Sequence, residues 1–206
     1  PAAATRLPAR RIPPAMPHEP DAMNEPLQAA DLEDRLRAIR LLLLDVDGVL
    51  TDGLVTWDNN GIEQKAFHIR DGLGIKLWGK SGGLTGIVTG RSSHVVAVRA
   101  GELDIGIVRQ GVGDKRAAVE AILVEHRLSW SEAAFVGDDL PDLACVVACG
   151  VGVAVADACR ELREAADIVT TAGGGRGAVR EVIEQLLRAR GVWEAAVRRY
   201  HSGQAS

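Results

Sequence analysis

The sequence predicts an α/β fold, a three-layer doubly wound parallel sheet, and three observations carry that prediction. Compact apolar runs alternate with segments of helical period from Leu41 to Arg190. Each central apolar run ends in polar, chemistry-bearing residues, as strands of an open parallel sheet do at their carboxyl ends. The chain has 206 residues, 47% of them hydrophobic, enough for one domain with a sizeable core.

The elements follow in order. Residues 1–30 are rich in Pro and Ala and are expected to be a disordered extension. They lack an apolar central run and do not read as a secretory signal. Leu32–Arg40 reads as a short charged helix leading into Leu41–Val46, a run suited to a strand buried on both faces. Gly53–Trp57 and Ile62–His68 flank Asp58-Asn59-Asn60-Gly61, a hairpin signal because Asn and Gly both tolerate positive φ. This hairpin is the one sizeable insertion after the first strand.

Residues 71–80 read as a helix, Leu84–Thr89 as a strand, Ser92–Gly101 as a helix and Ile105–Arg109 as a strand. Lys115–Arg127 is a predicted helix, Ala133–Gly137 a strand, Asp142–Cys149 a helix and Val151–Val155 a strand. Cys159–Ala165 is helical, Ile168–Thr170 a short strand and Gly177–Arg190 the last helix, so the domain spans 31–190. Residues 191–206 read as a polar tail, and the four tryptophans as packing residues.

Composition narrows the function. A net charge of −4 offers no broad attraction to nucleic acid or anionic membrane. No run of 18 apolar residues is present, so no transmembrane helix is indicated. Cys145, Cys149 and Cys159 form neither a disulfide framework nor a zinc pattern, and fit buried thiols in a reducing compartment.

The polar residues at the strand ends carry the chemistry. The first strand ends in Asp45-Val46-Asp47-Gly48, the second in Thr89-Gly90-Arg91 and the fourth in Gly137-Asp138-Asp139, while Lys115 opens the helix after the third. Several carboxylates in one small site repel one another, and a divalent cation relieves them. All-oxygen ligands suit Mg²⁺. Thr89 and Lys115 supply a hydrogen bond and a positive charge to a phosphoryl group. Of Asp45 and Asp47, one can attack phosphorus while the other transfers protons.

Three other readings meet these residues. Gly74-Ile75-Lys76-Leu77-Trp78-Gly79-Lys80-Ser81 fits the pattern of a triphosphate-binding loop, which needs a helix beginning at the Lys-Ser. Helical patterning here precedes Lys80, and Gly82-Gly83 and a strand follow. Receiver domains also combine Asp, Thr and Lys, but in a different order, and Asp47 adds a proton-transfer group suited to turnover. A structural or regulatory relative without turnover is the third.

Asp45-Val46-Asp47-Gly48-Val49-Leu50-Thr51-Asp52 resembles the first motif of the haloacid dehalogenase superfamily of phosphatases. Thr89 resembles its second motif, Lys115 its third and Gly137-Asp138-Asp139-Leu140-Pro141-Asp142 its fourth. The resemblance implies that Asp45 is nucleophile and metal ligand. Asp47 is then general acid and base and gives its backbone carbonyl to the metal, Asp138 is the remaining metal ligand, and Asp139 and Asp142 support the metal or its waters. Thr89 and Lys115 hold the phosphoryl group.

No room exists for a cap domain between Asp52 and Thr89, or between Lys115 and Asp138. The capless arrangement is similar to the 3-deoxy-D-manno-octulosonate 8-phosphate phosphatases, whose hairpins associate in a homotetramer. Asn59-Asn60-Gly61, Lys65 to Gly72, Gly74-Ile75-Lys76 and Gly173 to Glu181 resemble further segments of that family. The resemblance implies that His68, Ile69, Arg70, Asp71, Gly72, Lys76, Arg91 and Arg99, with Lys115, contact or neutralise a sugar acid bearing a carboxylate and a phosphate. His68 and Lys76 stand where the family commonly has Asn and Arg. Arg91, where relatives acting on nine-carbon ketoacid 9-phosphates carry Glu, favours the eight-carbon substrate. The implied activity is Mg²⁺-dependent, belongs to lipopolysaccharide synthesis and is cytoplasmic.

Overall fold

A computed structural model describes residues 29–203. The extension expected over residues 1–30 lies outside the described residues, apart from residues 29 and 30. Those two open the first helix, α1 (Ala29–Ala38).

Strand β1 (Leu41–Leu44) is four leucines, all fully buried, and lies at the centre of the sheet. The chain then makes a short ribbon of β2 (Thr56–Trp57) and β3 (Glu63–Gln64), and enters α2 (Ile69–Lys80). Next come β4 (Leu84–Val88), α3 (His94–Glu102), β5 (Ile107–Arg109) and α4 (Lys115–His126). They are followed by β6 (Ala133–Gly137), α5 (Leu143–Ala148), β7 (Val151–Ala154), α6 (Arg160–Ala165) and β8 (Ile168–Val169). Helices α7 (Ala178–Ala189) and α8 (Trp193–His201) end the described chain.

The main sheet has the order β5-β4-β1-β6-β7-β8, with every pairing parallel. Connections that cross outward from β1 through β4 to β5, and then return to β6, change direction beside β1. Right-handed crossovers therefore put α2 and α3 on one face and α4, α5 and α6 on the other. Helices α1, α2 and α7 pack together, as do α4, α5 and α6. This is the three-layer α/β architecture predicted. Leu44 pairs in register with Ile87 of β4 and Val136 of β6, which brings the ends of these three strands to one edge.

Three sequence expectations change. The ribbon strands are two residues each, because Leu54, Val55, Trp57 and Ile62 project into solvent and no further strand lies alongside among the described residues. Its turn differs too. Gly61 has positive φ and neither Asn does, while Asp58 Oδ1 accepts hydrogen bonds from the Asn60 and Ile62 N–H groups at 2.8 Å each. Last, the stretch read as a polar tail contains α8. Its many charges hide an apolar pair one turn apart, Trp193 and Val197, that packs onto the core, with Trp193 beneath the guanidinium groups of Arg180 and Arg188. Of the tryptophans, Trp78 is fully buried and Trp57 is exposed.

Candidate active site

The strand order gathers Asp45, Thr89, Lys115 and Asp138 at the carboxyl edge of the sheet, as their positions predicted. After β1 the chain coils tightly. The Val46 carbonyl accepts from the N–H groups of Val49, Leu50 and Thr51 at 3.2, 2.9 and 3.0 Å. Asp45 N–H continues the ladder, donating to Val136 O at 3.1 Å. The backbone that presents both aspartates is thereby fixed from within and from β6.

Gly48 is required where it stands. Its φ is +93°, and a Cβ there would overlap the Asp138 carboxylate. The absent side chain is the space in which Asp138 approaches Asp45. Gly174, in the loop before α7, packs against the Gly48 carbonyl so closely that a Cβ would overlap it, and Gly175 N–H donates to Val49 O at 2.9 Å. The glycine-rich segment singled out in the sequence is thus the floor on which the Asp45–Thr51 coil rests.

Lys115, the first residue of α4, is buried and bridges two carboxylates. Its Nζ lies 2.9 Å from Asp45 Oδ2 and 2.6 Å from Asp142 Oδ1. Asp114 caps the helix, accepting from Ala117 N–H at 3.0 Å, and so holds the lysine at the helix mouth. Asp142 Oδ2 accepts from the Asp138 N–H at 3.1 Å. Asp142 therefore ties α4 to the turn after β6. Asp139 is exposed and caps that same turn. Thr89 is buried at the end of β4, with its N–H donating to Arg109 O and its carbonyl accepting from Val112 N–H.

Carboxylate oxygens of Asp45, Asp138 and Asp142 lie within 4.8 Å of one another. Asp45 Oδ1 is buried and has no hydrogen-bond partner among the described residues. A buried, orphaned anionic oxygen is costly, and a hard cation with oxygen ligands is the group that satisfies it. The residues present fit Mg²⁺. The electrostatics agree. Burial, then the charges of Asp45 and Asp142, push the Asp138 carboxyl up to about 7. Burial and Asp142 also raise Asp45, against the opposing pull of Lys115. Burial works against the Lys115 charge, yet Asp45 and Asp142 hold its proton above the usual lysine range.

Asp142 lies beside Asp45 and Asp138 with its oxygens taken up by Lys115 Nζ and the Asp138 N–H, while the Asp47 carboxylate stands apart from the three. Asp47 is turned toward Lys65, with which it makes a short ion pair, and its Oδ2 lies 3.5 Å from Arg91 Nε. Sequence reasoning placed Lys65 at the head of a family-like segment without giving it a role, and did not single out Glu63. The available signal was a glutamate and a lysine two positions apart in a ribbon that folds back on the first motif.

The residues implied to contact substrate divide. Arg91 lies at the mouth and pairs with Glu63 at 2.6 Å. Ile69 and Arg70 are exposed at the start of α2, and His68 lies beside Gly177 with a buried, unpartnered Nδ1. Asp71 points inward instead. It is 2% exposed, and its Oδ1 accepts from the Arg180 N–H in the first turn of α7 at 2.7 Å. Gly72 is buried under the Arg99 guanidinium, which stacks over Phe67 and pairs with Glu102 at 2.9 Å. Lys76 is not brought to the cluster. Helix α2 runs away from the catalytic edge, and Lys76 lines a cavity of about 750 Å³ with Leu84, Thr85 and Ile105 at the opposite edge.

The motif of a triphosphate-binding loop is likewise set aside, since Lys80 closes α2 and no helix begins there.

The fold and this carboxylate–lysine edge define a haloacid dehalogenase-like hydrolase, and the family model of that description matches residues 91–183. The 3-deoxy-D-manno-octulosonate 8-phosphate phosphatase KdsC of Escherichia coli K12 is 45% identical over 168 residues, covering 82% of this chain and 89% of the relative. That of Yersinia pestis is 42% identical, covering 82% and 90%. The crystal structure of the Moraxella catarrhalis phosphatase, in complex with magnesium ion, phosphate ion and KDO, superposes with a TM-score of 0.82 at 39% identity, covering 84% of this chain and 99% of that one. The cobalt-bound form of the Haemophilus influenzae enzyme gives a TM-score of 0.76 at 37% identity, covering 78% and 94%. The chain belongs to the 3-deoxy-D-manno-octulosonate 8-phosphate phosphatase family.

Proposed function

We propose that the chain is an Mg²⁺-dependent phosphomonoesterase that hydrolyses 3-deoxy-D-manno-octulosonate 8-phosphate to the free sugar acid and phosphate. The observation that carries the chemistry is the buried Lys115 bridging Asp45 and Asp142, beside Asp138. The substrate follows from family membership. The exposed Arg91 at the mouth supports it, offering a cation to the sugar carboxylate. The nine-carbon 9-phosphate alternative is not favoured, because the curated relatives are named for the eight-carbon substrate.

The residues act in sequence. A carboxylate oxygen of Asp45 attacks phosphorus, the phosphorus–oxygen bond to the sugar breaks, and an aspartyl-phosphate forms. Asp47 gives its proton to the leaving oxygen. It then takes a proton from the water that hydrolyses the aspartyl-phosphate and regenerates Asp45. Thr89 and Lys115 hold the phosphoryl oxygens throughout. Asp45, Asp138 and the Asp47 carbonyl would hold Mg²⁺, with Asp142 orienting Asp138 and Lys115. Bound there, the ion supplies positive charge between two anionic partners that otherwise repel.

A homotetramer built on the ribbon accounts for the exposed Leu54, Val55, Trp57 and Ile62, and for Lys76, which reaches substrate only from a neighbouring subunit. The setting is the cytoplasm, in the supply of sugar acid to lipopolysaccharide. The three cysteines are free, and no helix among the described residues is long and apolar enough to cross a membrane.

Phosphate release from the eight-carbon acid phosphate, a nine-carbon ketoacid phosphate and an aryl phosphate tests this reading, with Mg²⁺ and with chelator. Mg²⁺-dependent preference for the eight-carbon acid is expected. Preference for another sugar phosphate overturns the substrate, and equal release under chelator overturns the metal.

A further inference from the structure

The side chain of Lys65 is 1% exposed, and its charge is answered by Asp47 Oδ1 and by Glu63 Oε1 at 3.4 Å. Burying an ammonium is costly, and pairing offsets that cost only in part. A lysine kept at this cost, in the ribbon and against the proton-transfer aspartate, requires a reason. The coil of residues 46–51 fixes the Asp47 backbone, but none of its hydrogen bonds fixes the carboxylate. Two cations do. Arg91, whose side chain is 44% exposed, touches Asp47 Oδ2 and pairs more closely with Glu63. Its guanidinium reaches solvent, where an incoming anion meets it. Lys65 has no such exposure, being closed in beneath the ribbon.

We infer that Lys65 is a positioning residue for the reaction. It holds the Asp47 carboxylate at the angle from which it takes a proton from the water that hydrolyses the aspartyl-phosphate, with Glu63 as the counter-charge that keeps Lys65 in place. The inference rests on the phosphatase reading above. It makes the ribbon part of the catalytic apparatus within its own subunit: β3 carries Glu63 and delivers Lys65 to the first strand's loop. Arg91 is the exposed member of the four charges and Lys65 the buried one.

The test compares wild type, Lys65→Met, Lys65→Arg, Asp47→Asn and the Lys65→Met/Asp47→Asn double variant. Methionine keeps the stem and removes the charge. Lys65→Met is expected to lower kcat about 100-fold, the scale of a misplaced catalytic group. KM and inhibition by inorganic phosphate should stay within about 3-fold, since Thr89 and Lys115 hold the phosphoryl group. Lys65→Arg should recover part of the loss. In the Asp47→Asn background, Lys65→Met should change kcat by less than about 2-fold, because the two residues act as one unit.

An unchanged kcat in Lys65→Met overturns the inference. So does the same loss with and without Asp47, or a rise confined to KM. Wild-type protein that releases phosphate from no substrate defeats the functional reading instead. Crystal structures of wild type and Lys65→Met then decide the positioning claim by themselves. An Asp47 carboxylate rotated away in the variant supports it, and one left in place overturns it.

Discussion

Lys115 Nζ stands 2.9 Å from Asp45 Oδ2, so the ammonium proposed to steady a phosphoryl group is already paired with the carboxylate proposed to attack it. The pairing explains how a buried acidic cluster is tolerated. Removing one partner of such a pair leaves buried charge uncompensated, at a cost of about 3–5 kcal/mol. Lys115→Met should therefore lower the melting temperature in chelator, and Mg²⁺ should restore part of it. It should also reduce kcat/KM by about 100- to 1,000-fold, the scale of a lost oxyanion donor. Thermal scans with and without Mg²⁺, beside steady-state rates, check both halves.

The raised Asp138 carboxyl gives a pH dependence whose sign is fixed. Its folded pKa of about 7 lies above the unfolded carboxylate value, so the folded chain binds the extra proton. Without Mg²⁺, stability from this group is full below about pH 4 and is lost as pH rises toward 7. Mg²⁺ needs the deprotonated form, so its affinity should rise with pH up to about 7 and then level off. Calorimetric titration of metal-free protein from pH 5.5 to 8 measures this directly. In Asp138→Asn this part of the pH dependence should be lost along with most of the affinity, leaving the share that belongs to Asp45.

Gly48→Ala introduces a Cβ into the space held by Asp138, at a positive φ. The expected result is loss of Mg²⁺ binding and activity, with a folded sheet by circular dichroism. Mg²⁺ affinity equal to wild type would show that the coil moves aside freely.

Asp71 is predicted to act on stability, not on substrate. It caps α7 through the Arg180 N–H at 2.7 Å. Asp71→Ala should cost about 1–2 kcal/mol, as lost caps do, with KM within about 3-fold of wild type. A selective rise in KM with an unchanged melting temperature would return Asp71 to the substrate surface.

Much of this arrangement is legible in the sequence, and for definite reasons. Leu41–Leu44 suits a strand buried on both faces, as in a parallel sheet covered by helices. Once the strand order is set by right-handed crossovers, Asp45, Thr89, Lys115 and Asp138 must meet. What escapes is contact that has no period. Lys65 meets Asp47 only because a ribbon of two-residue strands folds back over the first loop. Asp142 reads as a helix-opening residue that by resemblance supports the metal or its waters, and the two hydrogen bonds it accepts, from Lys115 Nζ and the Asp138 N–H, emerge only in three dimensions. Helix α8 is hidden by charge, since Trp193 and Val197 are its only strong apolar anchors. Asp71 and Arg70 are neighbours in sequence, yet the turn of α2 sends one into the core and the other into solvent.

The most direct measurement is mass spectrometry of protein quenched in acid during turnover of 3-deoxy-D-manno-octulosonate 8-phosphate with Mg²⁺. One phosphoryl group on the peptide containing Asp45, absent in Asp45→Asn and absent under chelator, is the predicted result. Substrate consumed at a wild-type rate by Asp45→Asn, or a phosphoryl group carried on a different residue, would contradict it.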